Sequence, residues 1–328
     1  MQRKKASMAR LAILVVVVFM HLWTGWATGQ EAVVKSSDSG LENIDRLWDY
    51  SKPAKLEEHF RGLLAEAGDA EDLQARIEIL TQIARAEGLQ RKFEDAHSTL
   101  DEAEALLTDE TEVGRIRVAL ERGRVHNSSG DAKGSRTFFE QALNAAQEAG
   151  EEYYAVDAAH MLGIVAESDE QIAWNLRAME MAEAAEDPRA KKWLGALYNN
   201  MGWTYHDLEE YDKAGEMLGK ALAWYEENGS GRQVRIGKWS VAKIMRLLGR
   251  VEEALKIQQS LKVEWAAFGE ADGYVFEELG ECLLAIGREE ESRKYFALAH
   301  GELSKDDWLV ANEPDRLSRL RVLAGEKL

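Results

Sequence analysis

Gly195-Ala196-Leu197-Tyr198-Asn199-Asn200-Met201-Gly202-Trp203-Thr204-Tyr205-His206-Asp207-Leu208-Glu209-Glu210-Tyr211-Asp212-Lys213-Ala214-Gly215-Glu216-Met217-Leu218-Gly219-Lys220-Ala221 sets small residues among large ones at fixed places. Two antiparallel helices approach closely only where a small side chain on one meets a large one on the other. The stretch therefore reads as a helical hairpin in which Gly202 and Ala214 are packing residues.

The pattern recurs. The small residue of the second helix returns as Ala96, Ser135, Ala214, Ala254 and Ser292, with adjoining copies 38 to 40 residues apart. A degenerate unit between Ser135 and Ala214 fits if its turn, around Glu167 to Glu170, is shortened, which aligns Ala178 with Ala103, Ala142, Ala221 and Ala299. In the first helix the small residue is Ala84, Gly123, Gly163, Gly202, Ala242 and Gly280, so six copies cover residues 75–304. Glycine in Gly130-Asp131, Gly249-Arg250 and Gly287-Arg288 marks helix ends, where it readily takes a left-handed conformation.

With glycine at its eighth place, tyrosine at its eleventh, alanine at its twentieth and twenty-seventh and a large apolar residue at its twenty-fourth, the quoted unit resembles the tetratricopeptide repeat (TPR). The resemblance implies an all-α fold: a right-handed α-α superhelix, or α-solenoid, of about six helix-turn-helix repeats closed by helical caps. These copies are longer than the ~34 residues usual in the family. The whole sequence also resembles exported bacterial TPR-only proteins of unassigned activity, which supports the fold and adds no chemistry.

Composition agrees with helix throughout. Only 3 of 328 residues are proline, and Pro53, Pro188 and Pro314 each precede an apolar-periodic stretch, where a missing N–H costs a helix little. Leu56, Phe60, Leu63 and Leu64 have helical spacing and read as an N-terminal cap over residues 53–74. A C-terminal cap over 305–328 carries Leu317, Leu320 and Ala324 after Asn312, with Asp315 placed for a capping interaction.

Arg3, Lys4, Lys5 and Arg10 precede the apolar run Leu11 to Trp23, and Ala27-Thr28-Gly29 supplies small residues before a cut, so residues 1–29 read as a secretory signal peptide. Residues 30–52 are small and polar and read as a flexible arm. The expectation is a periplasmic or secreted protein with no membrane contact after cleavage. The minority reading retains the N-terminus as a membrane anchor. Formal charge is −18 for the whole sequence and −22 without the first 29 residues, a field that repels nucleic acid.

Enzyme signatures are missing. There is no His-Glu-x-x-His, Gly-x-Ser-x-Gly or dinucleotide fingerprint, and Gly231 to Lys238 has one residue too many for a phosphate loop. The seven histidines have no metal-ligand spacing, and the single Cys282 lies in an apolar helical run as a small buried thiol. No cofactor or metal is expected.

Function is left to the concave groove. In TPR proteins the second, fifth, ninth and twelfth positions of the repeat face it. Transferred residue by residue, they give Arg85, Arg117, Arg124, Asn127, His160, Asn199, Trp203, His206, Trp239, Lys243 and Arg246 as binding candidates, with Tyr274, Glu277 and Glu281 in the last repeat. Arginines and tryptophans in an acidic protein suit an extended segment bearing carboxylates and an apolar anchor, or the free C-terminus of a partner. The leading expectation is a non-enzymatic scaffold, monomeric or weakly oligomeric, that binds a protein or peptide partner. The alternatives are an anchored ectodomain that organises an envelope complex and an enzyme with a site in the groove. Against all three, such residues also occur as plain solvated surface, paired with glutamates four residues away.

Overall fold

The computed structural model describes residues 48, 52–67 and 72–326. The signal peptide, and the arm apart from Trp48 and Lys52, lie outside the described residues. Every regular element described is helical. The protein divides into two compact units, Met1–Leu197 and Tyr198–Leu328.

Unit 1 holds α1 (Pro53–Ala67), α2 (Leu73–Leu89), α3 (Phe93–Ala105), α4 (Glu112–Ser129), α5 (Ala132–Ala149), α6 (Glu152–Val165), α7 (Ser168–Ala184) and the single turn α8 (Pro188–Lys191). The boundary falls inside α9 (Leu194–Asp207). Unit 2 continues with α10 (Tyr211–Asn228), α11 (Gly231–Leu247), α12 (Val251–Ala267), α13 (Gly273–Ala285), α14 (Glu289–Leu303), α15 (Asp307–Asn312) and α16 (Pro314–Leu323). The hairpins are α2/α3, α4/α5 and α6/α7 in the first unit, then α9/α10, α11/α12 and α13/α14.

Small-against-large packing closes each hairpin. A Cβ added at Gly123 would sit 2.4 Å from Phe139, one at Gly202 2.5 Å from Leu218, and one at Gly280 2.7 Å from Phe296. Those large partners follow their glycines by 16 residues. In α6/α7 the partner of Gly163 is Asn175, only 12 residues on, with 2.8 Å to the added Cβ. One helical turn is missing there, and only residues 166–167 join the two helices. The loss falls at the end of α6, which runs two residues past Gly163 where α4 runs six past Gly123, and not in the turn around Glu167 to Glu170, whose two residues match the 130–131 connector; Ala178 is fully buried, as the expected alignment requires.

Gly130, Gly249 and Gly287 have φ of 95°, 82° and 78°, which only glycine adopts without strain. Arg91 and Glu209 take the same left-handed region, at 63° and 62°, to close α2/α3 and α9/α10.

Apolar ends are covered by flanking helices. In α1, Leu56 and Phe60 bury against Ile79, Ile83 and Ala86 of α2, with Trp48 packed alongside. At the other end Leu317 and Leu320 of α16 bury against Phe296, Ala299 and Leu303, joined by Leu309 from α15. Pro53, Pro188 and Pro314 each open a helix. The capping expected of Asp315 is not made, since α16 starts without a side-chain cap. Asn312 instead ends α15 and donates Nδ2 to the Trp308 carbonyl at 2.9 Å. Gly231 to Lys238 is the first part of α11, started by a reciprocal cap between Ser230 and Gln233.

Candidate functional site

The first helices of the hairpins carry all the expected binding residues. In unit 1, Arg124 of α4 reaches the next hairpin and donates Nη2 to both carboxylate oxygens of Asp157 at 2.6 Å, while its Nη1 donates to Glu121 at 2.6 Å. Arg85 of α2 also points at Glu121, 3.6 Å away, and lies over the Trp48 ring at 5.1 Å. Arg117 is buried, donating to Tyr154 Oη at 2.8 Å and Thr81 Oγ1 at 3.3 Å. His160 is buried beside Trp193, with ring centroids 5.4 Å apart, and burial pushes its pKa down to about 4 despite the Asp157 charge and the nearby Asn175 amide. Asn127 is half-buried near the end of α4.

In unit 2 three aromatic rings run from one first helix to the next. Trp203 of α9 meets Trp239 of α11 at a centroid distance of 5.6 Å, and Trp239 meets Tyr274 of α13 at 5.7 Å. All three are half-buried. Trp239 Nε1 donates to the Tyr274 carbonyl at 3.1 Å, which fixes the indole across the hairpin interface. His206 adds to the run, 5.1 Å from Trp203, and its Nδ1 is 3.0 Å from Asp207. Beside the rings, Lys243 donates Nζ to Glu278 at 2.9 Å, and Arg246 donates Nε and Nη2 to the same carboxylate at 2.7 and 3.1 Å. Asn199 is buried.

A sequence model of the tetratricopeptide repeat matches residues 195–228. Solved structures similar to this protein include the apo form of RapI, at 12% identity and TM-score 0.67, over 86% of this chain and 80% of that one. A signal-transduction ATPase with a tetratricopeptide repeat sensor, from Pyrococcus horikoshii, matches at 16% identity and TM-score 0.65. That match covers 83% of this chain and 44% of the ATPase, so the protein spans under half the length of that relative. BtubC from P. vanneervenii matches at 18% identity and TM-score 0.52, over 72% of this chain and 94% of that one. No curated protein sequence matches.

The fold is that of a tetratricopeptide-repeat solenoid. In its hairpins, Arg85 and Arg124 of unit 1 pair with acids and Trp203, His206, Trp239, Lys243 and Arg246 of unit 2 lie together, whereas Arg117, Asn127, His160 and Asn199 join neither set. Glu121 and Glu278 are the residues sequence reasoning missed. Both are buried acids that collect two cations each. Their signal was spacing by one repeat and not by one helical turn: Glu278 follows Lys243 by 35 residues, and Glu121 follows Arg85 by 36. Burial pushes the Glu278 carboxyl up, but Lys243 and Arg246 together hold it below its ordinary value. Burial also pushes Tyr274 and Cys282 up to about 12, so the phenol and thiol stay neutral. Among the described residues no group of three or more His, Cys, Asp or Glu could hold a metal ion, and no helix is long and apolar enough to cross a membrane.

Proposed function

We propose that the protein is a non-catalytic interaction scaffold, exported by its N-terminal signal, that binds an extended protein segment along the first helices of unit 2. The observation that carries this reading is the half-buried run Trp203, Trp239 and Tyr274 next to two cations that share one carboxylate. Lys243 and Arg246 against Glu278 leave a local excess of one positive charge in a protein of net −18. Aromatic rings fixed by packing give large contact area at small entropic cost, and a basic guanidinium or ammonium beside them selects carboxylates. The segment that fits has acidic side chains or a C-terminal carboxylate beside one large apolar residue.

In unit 1 the corresponding cations are drawn into contacts between hairpins. A ligand there would have to displace Asp157 and Glu121 from Arg124, and separating such buried pairs is costly.

A peptide array probed with the mature protein tests the reading. Retained sequences should be rich in Asp and Glu around an apolar anchor, and Lys243→Gln or Trp203→Ala should each weaken them about tenfold. Lys243→Gln leaves Arg246 on Glu278, so a loss of binding would not reflect a stranded acid. Retention blind to peptide charge and to both variants would sink the idea. Export has its own measurement: the secreted or periplasmic form should begin at Gln30, whereas a retained leader would support the anchored alternative.

A further inference from the structure

Unit 2 holds a second unclaimed surface, walled by second helices. Between α12, α14 and the connector from α12 to α13 lies an open cleft of about 370 Å³. Its base is apolar and buried, formed by Trp265 and Val275. Its rim includes Val263 and Leu298, which are 64% and 39% exposed. Outward positions on solvated helices are ordinarily polar, and large apolar residues gathered around one cleft mark an interaction surface.

Charge decides what fits. Lys262 and Lys294 line the cleft, and among the described residues neither forms an ion pair. Lys262 Nζ donates to the neutral Tyr295 hydroxyl, 3.3 Å away. The acids on the cleft are already engaged. Glu270 accepts from Arg232 at 2.8 Å, and Asp272 caps α13, accepting from the Tyr274 and Val275 N–H groups at 2.9 and 3.2 Å. The two lysines balance Glu270 and Asp272, and Arg232 on Glu270 adds one positive charge, so this apolar trough is cationic by one charge on an acidic protein.

We infer that this cleft is a docking site for an acidic amphipathic segment of a partner protein, which inserts an apolar side chain between Val263 and Leu298 and sets carboxylates on Lys262 and Lys294. The site uses none of the first-helix residues assigned to the extended segment. The scaffold therefore holds two partners at once, one on each class of helix.

The probe is a synthetic helical peptide with leucines at i and i+4 flanked by glutamates, titrated into the full mature protein by fluorescence anisotropy and by backbone amide shifts. Two twins carry lysine for glutamate or serine for leucine. The acidic peptide should bind saturably and shift amides of α12 and α14, with each twin at least about tenfold weaker. Lys262→Glu with Lys294→Glu should invert the preference toward the lysine twin, and Val263→Asp should abolish binding. Lys243→Gln should leave this binding unchanged, which separates the cleft from the first-helix surface. Val263 and Lys294 are exposed and Lys262 and Lys243 half-buried, and circular dichroism checks that every variant folds. No saturation up to about 1 mM, equal affinity for the charge twins, or shifts confined to other helices would overturn the inference. So would self-association of the wild type abolished by Val263→Asp, since the occupant would then be a second copy.

Discussion

A methyl group added at Gly123 or Gly280 has no space, because the rings of Phe139 and Phe296 are fully buried against those positions. Alanine improves helix propensity by about 1 kcal/mol over glycine, but overpacking costs about 1–3 kcal/mol, and an aromatic ring locked in a core cannot swing aside. Gly123→Ala and Gly280→Ala should each destabilise by about 1–2 kcal/mol in urea unfolding. Gly219 is the control: nothing lies within 4 Å of its added Cβ inside α10, so Gly219→Ala should stabilise by about 0.5–1 kcal/mol. These small residues were legible because their spacing repeats. His160 was not, since a histidine on a first helix reads equally as a groove ligand and as core. Its folded pKa, near 4, lies below its ordinary 6.5 because burial penalises the cation. The unfolded protein therefore binds more protons between those values, and stability falls as pH drops from 6.5 toward 4. The loss amounts to on the order of 3 kcal/mol for this one group. Denaturant midpoints compared across that range should fall more steeply for the wild type than for His160→Met. Parallel slopes would show that His160 does not resist protonation.

Between elements, the first helices are joined by ion pairs one repeat apart, Arg85 to Glu121, Arg124 to Asp157, and Lys243 and Arg246 to Glu278, and Glu277 is joined in the same way to Arg316 of the covering helix α16. Glu278→Gln keeps the shape of the side chain and removes its charge, leaving Lys243 and Arg246 facing each other at about one-sixth exposure. The expected loss is about 2 kcal/mol, less than for a fully enclosed pair because both cations retain some water. It should be seen above the ordinary carboxylate range and vanish as pH falls through the lowered pKa of Glu278, where the wild type is protonated too. Glu253→Gln, which removes an exposed partner of Arg250 within one helix, should change nothing measurable. The contrast explains what the sequence hid. Local pairing three or four residues apart is easy to anticipate, whereas Glu278 becomes the partner of Lys243 only once hairpins stack. The α6/α7 hairpin was hard to read for a related reason: Asn175 stands where Phe139, Leu218 and Phe296 stand elsewhere, and it arrives one helical turn early. There the polar pair His160 and Asn175 replaces an apolar contact, so the periodic signal fades although the hairpin closes.

For the whole molecule, charge acts on folding and on binding with opposite sign. The protein carries 59 acidic against 41 basic residues, and repulsion among the excess acids opposes compaction over distances that salt screens easily. The ion pairs that join hairpins are short and shielded, as with Arg124 on Asp157 at 2.6 Å, so screening weakens them less. Raising NaCl from about 10 mM to about 200 mM shortens the Debye length from ~30 Å to under ~10 Å and should raise Tm. Binding of the acidic segment near Lys243 and Arg246 should weaken over the same range, because attraction between unlike charges is what is screened. Thermal scans and peptide titrations run on one set of salt concentrations test both signs together. If stability and affinity fall together, the exposed ion pairs dominate the energetics and the acidic excess does not set the long-range field. If both rise, attraction to carboxylates contributes nothing to recognition, and the aromatic run alone selects the partner.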